Sequence, residues 1–560
     1  MFLMNEVALI ILSIIAFIVI ISVIIALHEL GHFIVATKFK VLCYEYSIGM
    51  GPIIYKKKSE KSETQFSIRA IPLGGYVSMA GEDILADDIK KEASVGVNFD
   101  DDDKVSEIIL DPNQDAQARG KCTDIDLIGK DQDELYITLD VDGEENQYIV
   151  NQNATYIFEK NSRLQIAPYE RTIDAKPVWQ RILVYLAGPL MNFILAIFIY
   201  LIVAFSTGVQ DLSSNKIGGV SENYPAYGIL QDGDEIKSVN GKQINSWTDY
   251  QTVSSEIYNS YETTLTIKIL RDNEEKEFII EAYTGYNSIG LSNYNLKQEE
   301  LKLQTIPGTD VKGLKVGVVG LRYKNSSDEK YEKNITKDDY ITGIKIDNDE
   351  VISITSWGQL SKLLKEKTYD KDSHEIRFTY YHKNGDNYEK IDSSDCKVIE
   401  PYTSEVLESQ NIVNISNYIG IKSTYHFDFL GCVGQAFSNF WNDFTLIFRT
   451  LKLLIAPSGV RQIGVQNLSS FVGIFAMIKK YIASGFLTLL SFAAMLSVNI
   501  GIVNLLPIPA LDGGKILFAL IELITKKKLP KKVEIIINVI FYVLILGLLV
   551  YVTYNDILRL

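Results

Sequence analysis

Residues 8–27 form an apolar run broken only by Ser13 and Ser22. About twenty such residues cross a hydrocarbon core. Lipid offers no partner to a free N–H or C=O, so a segment of this kind must be helical. A cleavable leader would have a shorter apolar run, preceded by basic residues and ended by a small-residue cleavage site. Met1 to Val7 contains no Lys or Arg, and the run passes directly into His28-Glu29-Leu30-Gly31-His32. It reads as a retained span.

Three further spans are predicted at about 182–205, 482–506 and 533–552. Lys38, Lys40, Lys56, Lys57, Lys58 and Lys61 follow the first, Arg181 opens the second, and Lys526, Lys527, Lys528, Lys531 and Lys532 lie between the last two. The positive-inside bias puts these loops in the cytoplasm and both termini outside. Residues from about 210 to 480 then lie on the outer side. Within them, 430–457 is apolar at helical spacing but carries Asn439, Asp443, Arg449 and Lys452. That pattern fits an amphipathic helix on the membrane better than a span.

The net charge of −15 is not spread over the 560 residues. Residues 81–170 hold 23 acidic and 8 basic side chains, so this stretch carries the whole imbalance. No part of the chain offers a dense basic face, which argues against nucleic-acid binding. Cys43, Cys122, Cys396 and Cys432 lie far apart, which excludes a disulfide framework or a thiolate zinc site. Residues 83–117 are Asp-rich and predicted to be partly disordered. Residues 135–143 and 147–150 read as two strands around a Gly turn. Asp100 to Asp103 lack the spacing of a calcium loop and read as a solvated face.

His28 and His32, at i and i+4 on one helix face, can reach a single metal ion. Glu29 can hold a water beside it and accept its proton. Only five histidines are present, and ionisable groups inside a span are costly, so a chance HExxH is the weaker reading. A catalytic zinc takes three protein ligands. The third candidate is Asp512 in Asn504-Leu-Leu-Pro-Ile-Pro-Ala-Leu-Asp512-Gly-Gly, at the same end of its span as the histidines. A plain loop residue or helix cap is the alternative there.

HELGH at the end of a first span, AGPLMN at 187–192 and NLLPIPALDGG at 504–514 together resemble site-2 proteases, zinc metalloproteases that cut substrates within the membrane. Four spans with an outward tandem PDZ region are similar to the RseP-type branch. The resemblance implies Zn²⁺ held by His28, His32 and Asp512, with Glu29 as catalytic base, and Asn504 holding substrate or the developing oxyanion. Residues 65–77, punctuated by Pro72, Gly74 and Gly75, read as a hairpin. The resemblance makes it a membrane-dipping element whose edge takes up unwound substrate, with Gly74 and Gly75 in the binding surface. An ordinary surface hairpin is the alternative.

Ile236-Lys-Ser-Val-Asn-Gly-Lys-Gln-Ile-Asn-Ser-Trp247 is repeated, with two extra residues, from Ile344 to Trp357. Each copy is followed by a similar strand, 288–291 and 418–421. The first copy resembles a PDZ module. The second lacks the Gly233-Asp234 turn and the Asn-Gly pair. The partial motif at 468–474 says little about activity.

The expected protein is thus an α-helical polytopic membrane protein with four transmembrane helices, extracytoplasmic PDZ-like α+β domains and a cytoplasmic acidic insertion. Its divisions are 1–80 (first span and hairpin), 81–170 (acidic insertion), 171–207 (second span), 208–300 and 301–425 (PDZ-like), 426–480 (amphipathic helices) and 481–560 (last two spans). The expected activity is intramembrane proteolysis, in a bacterial plasma membrane, of single-pass proteins such as anti-sigma factors or signal-peptide remnants. An upstream site-1 protease would make the first cut. The alternative is a non-catalytic membrane scaffold presenting PDZ-like domains.

Overall fold

The computed structural model describes residues 6–59, 62–81, 93–129, 134–158, 162–321, 323, 334–409, 412–455 and 470–559. They divide into two compact units, residues 1–203 with 436–444 and 468–560, and residues 204–435 with 445–467.

The first unit holds four helices long and apolar enough to cross a membrane: α1 (Glu6–Lys38), α2 (Val178–Thr207), Phe486–Leu505 and Lys531–Leu558. On α1 the buried positions Ile21, Ile24, His28, Gly31, His32 and Ala36 recur at helical spacing. Val7, Ile11, Ile15, Val19 and Val23 point outward, each at least 45% exposed. In water that surface would be prohibitive, whereas lipid is its natural solvent.

After α1 the chain forms β1 (Cys43–Lys58) and β2 (Gln65–Met79), which pair as one two-stranded sheet. Residues 65–77 are therefore not a hairpin by themselves. They belong to a single strand whose partner lies upstream, bent so that Ser47 faces both Tyr76 and Ser67. The Ser22 hydroxyl of α1 donates to the Pro72 carbonyl, giving a polar atom within the apolar run a partner. Met50, Ile53, Ile54, Ile68 and Ile71 are exposed on this sheet, an apolar surface suited to lipid.

The acidic stretch is folded where it is described. Six strands follow, β3 (Ser94–Phe99), β4 (Val105–Ile109), β5 (Ala118–Asp126), β6 (Tyr136–Val141), β7 (Glu144–Phe158) and β8 (Ser162–Gln165). The end of β7 pairs in parallel with β4, so β4-β3-β5-β6-β7 closes into a barrel, with β8 added to β7. The predicted disorder is corrected for 93–117, while 82–92 lie outside the described residues. Composition misled because the apolar residues alternate: Val95, Val97, Val105, Ile108, Ile137 and Leu139 point into one core, while the described acids other than Asp111 are at least partly exposed. The two strands predicted around Gly143 are β6 and β7. Arg171, whose carbonyl accepts from Leu42 N at 2.9 Å, reaches Glu63 and Asn153. It thereby ties the barrel to the chain that leads into α2.

In the second unit, helices α3 (Trp247–Asn259) and α4 (Trp357–Thr368) each lie in one copy of the repeat. The Ser-Trp that ends each repeat starts these helices. Ser246 and Ser356 accept from the backbone N–H three residues on, at 3.1 Å, a standard N-cap, and Trp247 and Trp357 anchor the two cores. The first copy forms a sheet from Glu235–Val239, Lys242–Gln243, Thr264–Arg271 and Glu274–Glu281; the second is built on Tyr340–Ile346, Ile376–Asn384 and Asn387–Ile391.

The modules are not consecutive along the chain, as the divisions 208–300 and 301–425 predicted. Ile421–Ser423 pairs with Ile217–Val220, Ile415–Tyr418 pairs with Tyr283–Tyr286, and Ile419 lies in the first core. The first module is therefore completed by chain that follows the second. Segments 288–291 and 418–421 are not strands of their own, because each straddles a turn at Gly290 (φ +74°) or Gly420 (φ +88°). The turn missing from the second sequence copy is present in space. Asp338 (φ +72°) stands where Gly233 (φ +87°) does, since Asp tolerates the left-handed region. Asp234 and Asp339 then accept alike from the N–H three residues earlier, at 2.8 and 2.7 Å.

A short helix α5 (Ser404–Ser409) precedes α6 (Phe429–Ile455), the amphipathic helix expected at 430–457; residues 456 and 457 lie outside the described residues. The predicted third span is the helix Phe486–Leu505, preceded by a separate helix that takes in the first residues of the predicted range. α7 (Phe471–Ser484) ends at Gly485, whose φ of +115° breaks the ladder before α8 (Phe486–Leu505). Another helix, α9 (Asp512–Thr525), stands before α10 (Lys531–Arg559). Motif residues 468 and 469 lie outside the described residues.

Candidate metal centre

His28 and His32 come from α1, one turn apart on its buried stripe. α8 ends at Leu505, and the segment through Pro507 and Pro509 turns back before α9 begins at Asp512. Pro removes the N–H needed to continue α8. Gly513 and Gly514 allow the return, because a Cβ on Gly513 would lie 2.5 Å from the Leu505 carbonyl carbon and one on Gly514 2.7 Å from Pro509 Cα. Asp512 thus opens a helix instead of closing a span, and its carboxylate sits where the helix dipole favours negative charge.

His28 Nε2 is 3.1 Å from Asp512 Oδ2, His32 Nε2 is 3.2 Å from the same oxygen, and the two Nε2 atoms are 3.2 Å apart. Both imidazoles are about 95% buried. A tetrahedral ion held at about 2.0–2.1 Å separates its ligand atoms by roughly 3.3 Å, so this triangle has the dimensions of one tetrahedral face. Among the described residues, these three form the one group of His, Cys, Asp or Glu with ligand atoms converging in this way.

Glu29 reaches the sheet, where Val77 N donates to its Oε2 at 3.1 Å. A Cβ on Gly75 would stand 3.8 Å from Glu29 Cγ and only 2.7 Å from the Ser47 carbonyl. No side chain fits there. Gly74 has φ +98° beside Met50. The sheet that bears them is clamped by Glu45, which accepts from Arg69 (2.8 Å), Tyr76 (2.7 Å) and Ser67. Burial would raise the Glu45 carboxyl, but these three donors outweigh it and hold it below its ordinary value. Burial and the adjacent Glu45 push Tyr76 up to about 12. Asn504 lies in the last turn of α8 and has no hydrogen bond to the three converging residues.

Residues of α2 complete the surroundings. His32 Nδ1 meets the Val184 carbonyl at 2.7 Å, and His28 Nδ1 meets the Asn192 amide at 3.2 Å. Gly188 lies between, where a Cβ would stand 2.8 Å from His28 Nε2 and closer still to His32 Nε2. Reading by motif picked out AGPLMN without assigning roles inside it. The four-residue spacing of Val184, Gly188 and Asn192, matched to that of the histidines, was the available signal.

Residues 16–548 match peptidase family M50. The chain is 29% identical to the zinc metalloprotease RasP of Shouchella clausii, over 98% of this chain and 99% of that one. It is 28% identical to the regulator of sigma-W protease RasP of Bacillus subtilis over the same shares. A putative zinc metalloprotease of Staphylococcus aureus is 26% identical over 98% of each chain. The scaffold alternative gives way to an enzyme, and the chain belongs to peptidase family M50, as a membrane-embedded zinc metalloprotease of the site-2 class.

Proposed function

We propose that this enzyme is an endopeptidase that hydrolyses single-pass membrane proteins inside the bilayer, with zinc held by His28, His32 and Asp512. The observation that carries this reading is the triangle of three donor atoms 3.1–3.2 Å apart, with Glu29 next in sequence to His28. Zinc supplies a lowered water pKa and polarisation of the scissile carbonyl. Glu29 takes the proton of the attacking water and delivers it to the amide nitrogen as the C–N bond breaks.

An intact substrate helix hides its peptide bonds within its own hydrogen-bond ladder, so the substrate must unwind before attack. The β1–β2 sheet offers a surface on which the extended segment is taken up by strand addition, with Gly74 and Gly75 permitting close backbone approach. Asn504 is the polar group proposed to hold substrate or the oxyanion. The basic flanks of the spans support an active site toward the cytoplasm, with the acidic barrel on that side and the PDZ-like modules outside. Those modules are proposed to admit substrates already shortened by a site-1 protease. The sigma-W name of one relative supports anti-sigma-factor-like substrates.

The test is coexpression with a cleavable single-pass reporter. Wild-type enzyme releases the fragment and Glu29→Gln does not; equal cleavage by both rejects the mechanism.

A further inference from the structure

Asn192 is fully buried in α2, and its Oδ1 has no hydrogen-bond partner while its Nδ2 stands 3.2 Å from His28 Nδ1. Both features are chemically awkward if His28 holds zinc. A neutral imidazole that turns Nε2 to a metal carries its remaining proton on Nδ1, and that proton needs an acceptor, whereas an amide NH₂ is a second donor. Turning the amide by 180° exchanges its oxygen and nitrogen, which have nearly the same shape. The orphaned oxygen then receives the Nδ1 proton, so both of those groups gain a partner while the NH₂ takes the oxygen's former place.

We infer that Asn192 is a positioning residue whose carbonyl oxygen accepts the His28 Nδ1 proton and so fixes the tautomer that presents Nε2 to the metal. This rests on the proposed ligand role of His28. The second imidazole is held in the same manner, because the Val184 carbonyl faces His32 Nδ1 at 2.7 Å. Val184, Gly188 and Asn192 are successive i+4 positions on α2, and His28 and His32 are i and i+4 on α1. One row of α2 therefore supplies an acceptor to each histidine and, at Gly188, leaves the space between the Nε2 atoms open. Asn192 is itself anchored, since Ser497 Oγ of α8 donates to its backbone carbonyl at 2.8 Å. Outer partners of this type set ring orientation and ligand basicity, and losing one weakens metal binding by about 10–100-fold.

The test measures zinc affinity of the full-length purified enzyme by competition with a chromophoric chelator. Asn192→Leu keeps the branched shape, though with a larger volume, and removes the acceptor; it is expected to weaken zinc binding by about 10–100-fold. Asn192→Asp keeps an acceptor and is expected to bind zinc at least as tightly as wild type. A residue that only packs would give the reverse order, with Leu tolerated and a buried carboxylate harmful. Wild-type affinity in Asn192→Leu, or weakened binding in Asn192→Asp, overturns the inference, and the Asp variant decides alone if the Leu variant does not fold. His28→Ala separates the two levels: if it retains stoichiometric zinc, the ligand assignment fails instead.

Discussion

A Cβ on Gly188 would stand 2.8 Å from Nε2 of His28, so the α2 backbone passes beside the converging histidines with no room for a side chain. Gly188→Ala is accordingly expected to place a methyl group where the donor atoms converge. Zinc affinity, measured by competition with a chromophoric chelator, should fall by about tenfold or more, the range for disturbed ligand surroundings. Gly547→Ala in α10, where a Cβ meets nothing within 4 Å, is the control and should keep its zinc.

Gly75 separates metal binding from catalysis. An alanine there collides with the Ser47 carbonyl, 2.7 Å from the added Cβ, and forces β2 away from β1. Two residues on, Val77 N holds Glu29. Displacing a catalytic group by about 1 Å can cost about 100-fold in rate. Gly75→Ala should therefore lower kcat on a reporter by about 10–100-fold while zinc stays stoichiometric. Loss of zinc with loss of rate would instead mean that the sheet supports the ligands themselves.

The parts of the site legible in the sequence were those set by local spacing. His28 and His32 share a face because four residues make about one turn, and prolines at 507 and 509 mark the end of a helix. What could not be read depended on long-range partners. The residues 65–77 pair with a strand that precedes them, and the acids of 93–126 cover a barrel closed by a strand some forty residues away. Asp338 replaced Gly233 at the same turn, so the second copy looked incomplete when compared by letter. Asn192 carried no signal alone, because its meaning comes from facing His28 across two helices.

The nesting of the two repeat modules makes a further prediction. Ile419 follows the second module in the chain but is buried at 2% exposure in the core of the first. Ile419→Ala should cost about 2–5 kcal/mol, the usual range for such a truncation. Hydrogen exchange should quicken in Thr264–Arg271 of the first module and be unchanged in Ile376–Asn384 of the second. The opposite pattern would assign 415–423 to the second module.

Glu45 gives the sheet a pH dependence whose sign can be worked out. Its carboxyl lies below its ordinary value because Ser67, Tyr76 and Arg69 donate to the ionised form more strongly than burial opposes it. A depressed carboxylate stabilises the fold above its unfolded pKa of about 4.3 and loses that contribution as pH falls through the lower folded value. Tyr76, raised to about 12, acts at the other end. Its contribution is complete below about 10 and is lost as pH rises toward its folded value. Glu45→Gln leaves Arg69 without its carboxylate and lacks the acid-side dependence. The gap in unfolding temperature between wild type and Glu45→Gln should therefore be widest near about pH 6 and shrink steadily below about pH 4. A gap that is constant with pH would mean that the four side chains hold the sheet by shape and neutral hydrogen bonds alone.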